Sequence, residues 1–285
     1  MSCNEMTVLE LDRERALALL PERAPNGHKG DFGKILLLCG SRGFTGAAYF
    51  AAMGALRTGA GLVYLGVPES IYAIEAAKLN EPVIFPLPEE NGLLSAEAVP
   101  EILMRLPQMD AVVIGCGLGK SPGTMAVLEA VLHHARCPVV VDADGINLLS
   151  AHKDILRGRT TILTPHGGEF ARFWGEPGPD RMASAAECAR ELGIVCLLKG
   201  HETVTTDGKT AYRNHTGNPG MAVGGSGDVL AGMIGALLGQ GLAPVEAAAC
   251  GAFFHGSAGD ECARHLGQYG MLPTDMLEVL PRLLK

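Results

Sequence analysis

One grammar recurs along most of this chain: a short apolar run, a loop rich in glycine or polar residues, then a helical stretch. Ile35–Cys39 runs into Gly40-Ser41-Arg42-Gly43-Phe44-Thr45-Gly46 and a helix through Thr58. Leu62–Val67 leads to Pro68-Glu69 and a helix near 69–78. Ala111–Gly115 leads to Cys116-Gly117-Leu118-Gly119-Lys120-Ser121 and a helix over 123–135. Val139–Val141, Thr161–Leu163 and Ile194–Leu198 end in Asp142-Ala143-Asp144-Gly145, Thr164-Pro165-His166-Gly167-Gly168-Glu169 and Lys199-Gly200-His201. Apolar runs this short, bounded by glycine, read as buried strands. Strands alternating with helices pair in parallel through crossovers. The pattern therefore demands an α/β fold with a central, mainly parallel sheet and helices on both faces. Thr203–Thr206 and Thr210–Arg213, joined at Asp207-Gly208, read as a hairpin.

The remaining segments bound the domain. Residues 7–20 read as an amphipathic helix, 21–33 as a polar lead-in, 88–95 as an exposed loop and 273–284 as a last helix. The chain has 285 residues, with no linker rich in Pro, Ser or charge. A single domain over 1–285 is expected, with 1–25 as N-terminal helix and lead-in. A net charge of -8 argues against a nucleic-acid partner or an anionic membrane. The apolar stretch from Val229 to Ala258 is interrupted by Gln240, Pro244, Glu246 and His255 before it could span a bilayer. Two buried helices rich in Ala and Gly are the better reading. Eight cysteines show no metal-ligand spacing. With no signal peptide visible, they read as cytosolic thiols, which points to a cytoplasmic protein.

In such sheets ligands bind at the carboxyl ends of the strands, where the glycine loops fall. The most telling of them is Asn218-Pro219-Gly220-Met221-Ala222-Val223-Gly224-Gly225-Ser226-Gly227-Asp228. A glycine turn opening a helix points backbone N–H groups at one spot on the positive end of the helix dipole, and such a spot binds phosphate. Asp228 at the helix start is placed to take a proton from an attacking hydroxyl. The alternative is that Asp228 is an N-cap and the glycines only a tight turn.

Other loops carry paired readings. Lys199 reaches a nucleotide phosphate, or is a solvated lysine after a strand. His166 touches a substrate group, or caps the helix at Glu169. Gly115–Gly119 has the look of a dinucleotide fingerprint but lacks the acidic residue in register, and reads as a close-approach loop for a phosphate or sugar. Asp142 and Asp144 could organise Mg²⁺ through water, but Asp144 reads better as the cap of the helix carrying Asn147. No all-protein metal cage is expected. The helix from Gly46-Ala47-Ala48 is so rich in small residues that something large must lie close to it.

Taken in order, several motifs resemble the ADP-dependent NAD(P)H-hydrate dehydratases. They are Lys29-Gly30-Asp31-Phe32-Gly33-Lys34, Phe44-Thr45-Gly46-Ala47-Ala48, Arg57-Thr58-Gly59-Ala60-Gly61, Gly115-Cys116-Gly117-Leu118-Gly119, Val141-Asp142-Ala143-Asp144, Thr164-Pro165-His166-Gly167-Gly168-Glu169, Lys199-Gly200-His201-Glu202-Thr203 and the Asn218–Asp228 stretch. The resemblance covers roughly 25–283. It implies a ribokinase-like fold and ADP-driven repair of the S epimer of hydrated NADH or NADPH (NADHX, NADPHX), releasing AMP and phosphate, with Mg²⁺ as cofactor. It further implies that Asp228 is the catalytic base and that Gly225, Ser226 and Gly227 form an anion hole. Lys199, Gly200, His201, Glu202, Thr203 and Gly227 would contact the nucleotide. Ala47, Gly117, Gly119, His166 and Asp228 would contact the hydrate. A homotetramer is implied as well. Two departures stand out: Ser226 where many relatives have Thr, and Cys116 where many have Pro. The epimerase sometimes fused ahead of this domain is expected to be absent. The alternative is a ribokinase-like kinase acting on a pyrimidine or thiazole alcohol, with the same turn and base.

Overall fold

The computed structural model describes residues 6–285. Twelve strands are β1 (Thr7–Glu10), β2 (Lys34–Leu38), β3 (Leu62–Pro68), β4 (Val83–Leu87), β5 (Glu89–Glu90), β6 (Leu93–Leu94), β7 (Ala111–Ile114), β8 (Val139–Val141), β9 (Thr161–Leu163), β10 (Val195–Leu198), β11 (Thr203–Thr206) and β12 (Thr210–Asn214). Eleven α-helices are α1 (Arg13–Ala18), α2 (Thr45–Arg57), α3 (Glu69–Lys78), α4 (Val99–Arg105), α5 (Pro122–His134), α6 (Asp144–Leu149), α7 (Gly167–Phe173), α8 (Arg181–Leu192), α9 (Ser226–Gly239), α10 (Pro244–Leu266) and α11 (Pro273–Leu283).

Ten strands form one sheet in the order β1-β12-β11-β10-β9-β8-β7-β2-β3-β4. Every pairing is parallel except the two made by β11. That antiparallel strand belongs to the hairpin expected from Asp207-Gly208. The strand order reverses between β2 and β7, so a crevice opens beyond their carboxyl ends.

Successive strand residues face opposite sides of a sheet, and both sides are covered here. Ile35, Leu37, Val113 and Leu197 pack on one side under α2, α9, α10 and α11. Leu36, Leu38, Val112 and Leu198 pack on the other under α4, α5, α7 and α8. What lies close to the small-residue helix α2 is α9. A Cβ on Gly54 would overlap the Val229 carbonyl, and one on Gly232 would overlap that of Ala51. The two helices therefore touch backbone to backbone.

The N-terminal expectation needs correction. The segment 7–20 is not one helix. Thr7–Glu10 pairs in parallel with β12, and helix begins only at Arg13, capped by Asp12, whose side chain accepts from the Arg15 N–H. β-Branched Thr7 and Val8 favour the strand. Residues 1–5, Cys3 among them, lie outside the described residues. The 88–95 loop contains a small hairpin, β5 with β6, turning at Asn91 and Gly92 with φ of 57° and 84°. The strand β4 and helices α4 and α8 were not read from the sequence.

Candidate active site

The crevice is built from five strand ends, those of β2, β7, β8, β9 and β10, and one helix start. From β2, the Gly40 N–H donates to the Cys116 carbonyl at 2.8 Å, and Ser41 Oγ donates to the Gly117 carbonyl at 2.7 Å. These bonds tie the loop after β2 to the loop after β7. Gly117, at φ +59°, leaves no room for a side chain against Ala47 and Phe44. Gly119 donates its N–H to Asp144 Oδ2 at 2.9 Å. That corrects the role of Asp144. It does not cap α6, whose N-cap is Ala143 at φ +48°, but braces the glycine loop. The helix starts one residue too early for Asp144 to reach back as a cap.

The start of α9 closes the crevice. Gly225 is the N-cap, at φ +100°, and no side chain caps the helix. Asp228 is the third helical residue, so the N-cap reading of Asp228 does not hold. The Ser226 N–H donates to the Val223 carbonyl at 3.2 Å. Among the described residues, the N–H groups of Gly225, Gly227 and Asp228 have no such partner. Ser226 itself is turned inward, its Oγ 3.5 Å from His255 Nε2. The anion hole expected of Gly225, Ser226 and Gly227 therefore needs correction: the Ser226 N–H is spent on Val223, and that of Asp228 is free instead among the described residues. Gly227 faces Lys199: a Cβ there would sit 3.2 Å from Nζ.

Lys199 is not a free lysine. Its Nζ lies 2.8 Å from Asp142 Oδ1. Asp142 is buried and also accepts from Thr164 Oγ1 at 2.6 Å. Burial works against the lysine charge, but Asp142 and Glu169 outweigh it and raise its pKa, so the ammonium persists. Asp228 lies in the same cluster. Its carboxylate, the Cys116 sulfur and an Asp142 oxygen all fall within 4.8 Å of one another. Burial pushes the Asp228 pKa up to about 6, and the neighbouring Asp142 charge adds to this, while Cys116 and Lys199 oppose it. The Cys39 thiol and burial hold the Cys116 thiol protonated. This donor set does not suit Mg²⁺, which prefers oxygen ligands and retains water: one donor is a thiol, and Asp142 already faces an ammonium.

His166 stands beside Lys199 across an isolated parallel bridge. It caps α7, with Nδ1 accepting from the N–H groups of Gly168 at 3.1 Å and Glu169 at 3.3 Å. The capping reading is therefore realised, and Nε2 of the half-exposed ring lies 3.5 Å from Glu169 Oε1. His201 and Glu202 form the exposed tip of the turn into β11. Glu202 takes φ +53° and pairs with His215 at 3.4 Å. Thr203 Oγ1 closes the turn on the Gly200 carbonyl at 3.0 Å.

Three contributors were missed from the sequence. Arg181, at the start of α8, donates to the carbonyls of Leu198, Lys199 and His201 at 3.2, 2.8 and 2.8 Å. Thr164 fixes Asp142. Cys116 sits against both carboxylates. No local signal marks Arg181, because its partners are carbonyls 17 to 20 residues away.

Comparison with known proteins shows the family and the fold. A family model described as NAD(P)H-hydrate dehydratase matches residues 35–282. The chain is 46% identical over 275 residues to the bifunctional NAD(P)H-hydrate repair enzyme Nnr of Moorella thermoacetica, covering 93% of this chain and 52% of that protein. It thus spans about half the length of the curated relatives it matches. Among solved structures, the ADP/ATP-dependent NAD(P)H-hydrate dehydratase of Bacillus subtilis, co-crystallized with ATP/Mg²⁺, is 31% identical with a TM-score of 0.81, covering 95% of this chain and 96% of that one. A ribokinase-like superfamily protein of Enterococcus faecalis superposes with a TM-score of 0.86 at 26% identity, over 97% and 95% of the two chains. The fold is ribokinase-like, and the chain belongs to the NAD(P)H-hydrate dehydratase family.

Proposed function

We propose that this chain dehydrates the hydrated form of NADH or NADPH, acting on the S epimer, at the expense of ADP, and releases AMP and phosphate. The observation that carries this reading is the position of Asp228. Its carboxylate sits on the first turn of α9, beside N–H groups that have no protein partner among the described residues and clustered with Asp142, which pairs with the Lys199 ammonium.

The chemistry follows from these groups. A carboxylate with a pKa of about 6 is ionised at neutral pH and more basic than an ordinary aspartate. It takes the proton from the hydrate's ring hydroxyl as that oxygen attacks the terminal phosphoryl of ADP. The N–H groups of Gly225, Gly227 and Asp228, with Lys199, stabilise the charge on the phosphoryl in transit. The hydroxyl alone is a poor leaving group. As a phosphate ester it departs with its bonding electrons, pushed by the ring-nitrogen lone pair. Loss of a ring proton then restores the dihydronicotinamide.

ADP lies, in this reading, between Lys199–Thr203 and Gly225–Asp228. The hydrate lies against Ala47, Gly117, Gly119 and His166. Any Mg²⁺ is carried by the nucleotide phosphates, and no residue is assigned to it. The protein is a cytoplasmic homotetramer in the same reading. Among the described residues no helix is long and apolar enough to cross a membrane.

The test is direct. The purified chain is incubated with hydrated NADH, ADP and Mg²⁺, and the dihydronicotinamide absorbance is followed together with AMP. Absorbance should return in step with AMP and only when ADP is present. Absence of that return, with phosphorylation of a pyrimidine or thiazole alcohol in its place, would overturn the reading.

A further inference from the structure

From the end of β12 at Asn214 to the start of α9 at Ser226, the chain has no strand and no α-helix, only one 3₁₀ turn at Pro219–Met221. Irregular backbone of this kind does not aim N–H groups at a point unless something outside it holds it still. One side of α10 does so. Asn214 Nδ2 donates to the Ala252 carbonyl at 3.2 Å, and Thr216 Oγ1 to the Phe253 carbonyl at 3.0 Å. Gly256 lies directly under Thr216, and Gly259 under Met221, where any Cβ would overlap. Positions 252, 253, 256, 259 and 260 recur at helical spacing and form one stripe.

Two polar side chains lock the ends of the segment. Asp260 Oδ2 accepts the Gly217 N–H at 2.8 Å, and its Oδ1 accepts the Asn218 amide at 3.0 Å. Asn218 Oδ1 in turn accepts the Gly220 N–H at 3.0 Å. At the other end, His255 Nε2 meets the Ser226 carbonyl at 2.8 Å. Burial drives the His255 pKa down to about 4, so the ring is neutral at physiological pH, and Nε2 carries its one hydrogen toward that carbonyl.

We propose that Asp260 and His255 are positioning residues of the nucleotide site, acting through the 217–228 segment to set the direction of the Gly225, Gly227 and Asp228 N–H groups. The inference rests on the proposed function only in taking that turn as the phosphate site. Neither residue touches the substrates in this reading.

The hydrogen-bond polarity supplies the test. In Asp260→Asn, the amide nitrogen must face either the Gly217 N–H or the Asn218 amide, donor against donor. In the double variant Asn218→Asp/Asp260→Asn, every bond is restored with the polarity of one pair reversed: the new amide accepts from Gly217 and donates to the new carboxylate, which still accepts from Gly220. Asp260→Asn should lower kcat/KM for ADP about 10-fold, the scale of one lost charge-assisted bond, with thermal unfolding nearly unchanged. The swap should return it to within about 3-fold. His255→Gln, which keeps an N–H donor, should likewise outperform His255→Ala. If the swap were as impaired as the single variant, or if the single variant matched the wild type, the proposal would fall. Amide hydrogen exchange over 217–228 separates this from the functional reading: should the wild-type chain neither bind ADP nor repair the hydrate, faster exchange in Asp260→Asn and its recovery in the swap would still support the platform, and unchanged exchange would overturn it.

Discussion

The two glycine turns that flank the crevice are held in different ways. The turn at Gly225–Asp228 is fixed by close backbone packing, with the Asp260 and His255 side chains locking the segment that leads into it. Its helix meets α2 with no side chain between them at Gly54 and Gly232, and the segment before it lies on glycines of α10. The turn at Lys199–Thr203 is fixed by side chains. Arg181 grips three of its carbonyls, and Thr203 closes it on Gly200. Backbone packing is stiff, because a misfit there displaces whole helices. A side-chain clamp can be loosened without moving the sheet. In the proposed reading, the first turn carries the reacting carboxylate, and the second carries a cation that balances charge. The difference in anchoring therefore matches a difference in how much displacement each role tolerates.

The sharpest way to break this comparison is at Asp228. Asp228→Asn keeps shape but removes basicity, so kcat should fall about 10²-fold or more. ADP affinity, measured by calorimetry, should change much less, since the backbone donors remain. The same variant should be more stable than the wild type above pH 6. The folded-state pKa of Asp228 lies above the ordinary carboxylate value, so ionisation in the folded protein costs stability as pH rises through about 6. Melting curves should show the gain at pH 8 and lose it at pH 4, where the acid is largely protonated in the folded state.

Gly232→Ala tests the backbone-held turn. The new methyl would overlap the Ala51 carbonyl, so α2 and α9 must separate. A loss of about 1–3 kcal/mol, read by denaturant unfolding, is the expected overpacking cost. Loss of ADP affinity should accompany it. A variant of full stability would show that the helix contact is soft. Arg181→Ala tests the side-chain-held turn and should act more locally. Two carbonyl bonds shorter than 3 Å are lost, and KM for ADP should rise about 10-fold at nearly constant kcat. An equal fall in kcat would mean that Lys199 is held by this clamp for the chemical step itself.

The mildest probe is pH. In the proposed reading Asp228 works as an ionised base, so kcat/KM should fall as pH drops through about 6, tenfold per unit below it. Neutralising Asp142 by Asn removes a nearby negative charge and should move that limb to lower pH. A limb that stayed in place would mean that burial alone sets it.

Much of the site was legible in the chain because glycine loops at strand ends are local signals. Gly117, Gly119, His166, Lys199 and Asp228 do converge on one crevice. The roles within it were less legible. Lys199 reads from sequence as either free or phosphate-bound, and it is paired with Asp142, 57 residues away. Asp144 has the look of a cap and braces Gly119 instead. The strand at Thr7–Glu10 was hidden because its partner β12 lies about 200 residues further along the chain, and because a short exposed strand has no apolar face to give it periodicity.

The sequence by itself determined the alternation of strands and helices, the mainly parallel sheet and the glycine turn that opens α9. Each of these follows from local backbone preference and apolar spacing over a few residues. Only the tertiary structure decided which acid lies beside which cation, that Cys116 and Asp142 press on Asp228, and that Arg181 and α10 hold the two turns. Those are contacts between distant segments. Their partners are mostly carbonyls and N–H groups, which every residue carries and no sequence distinguishes.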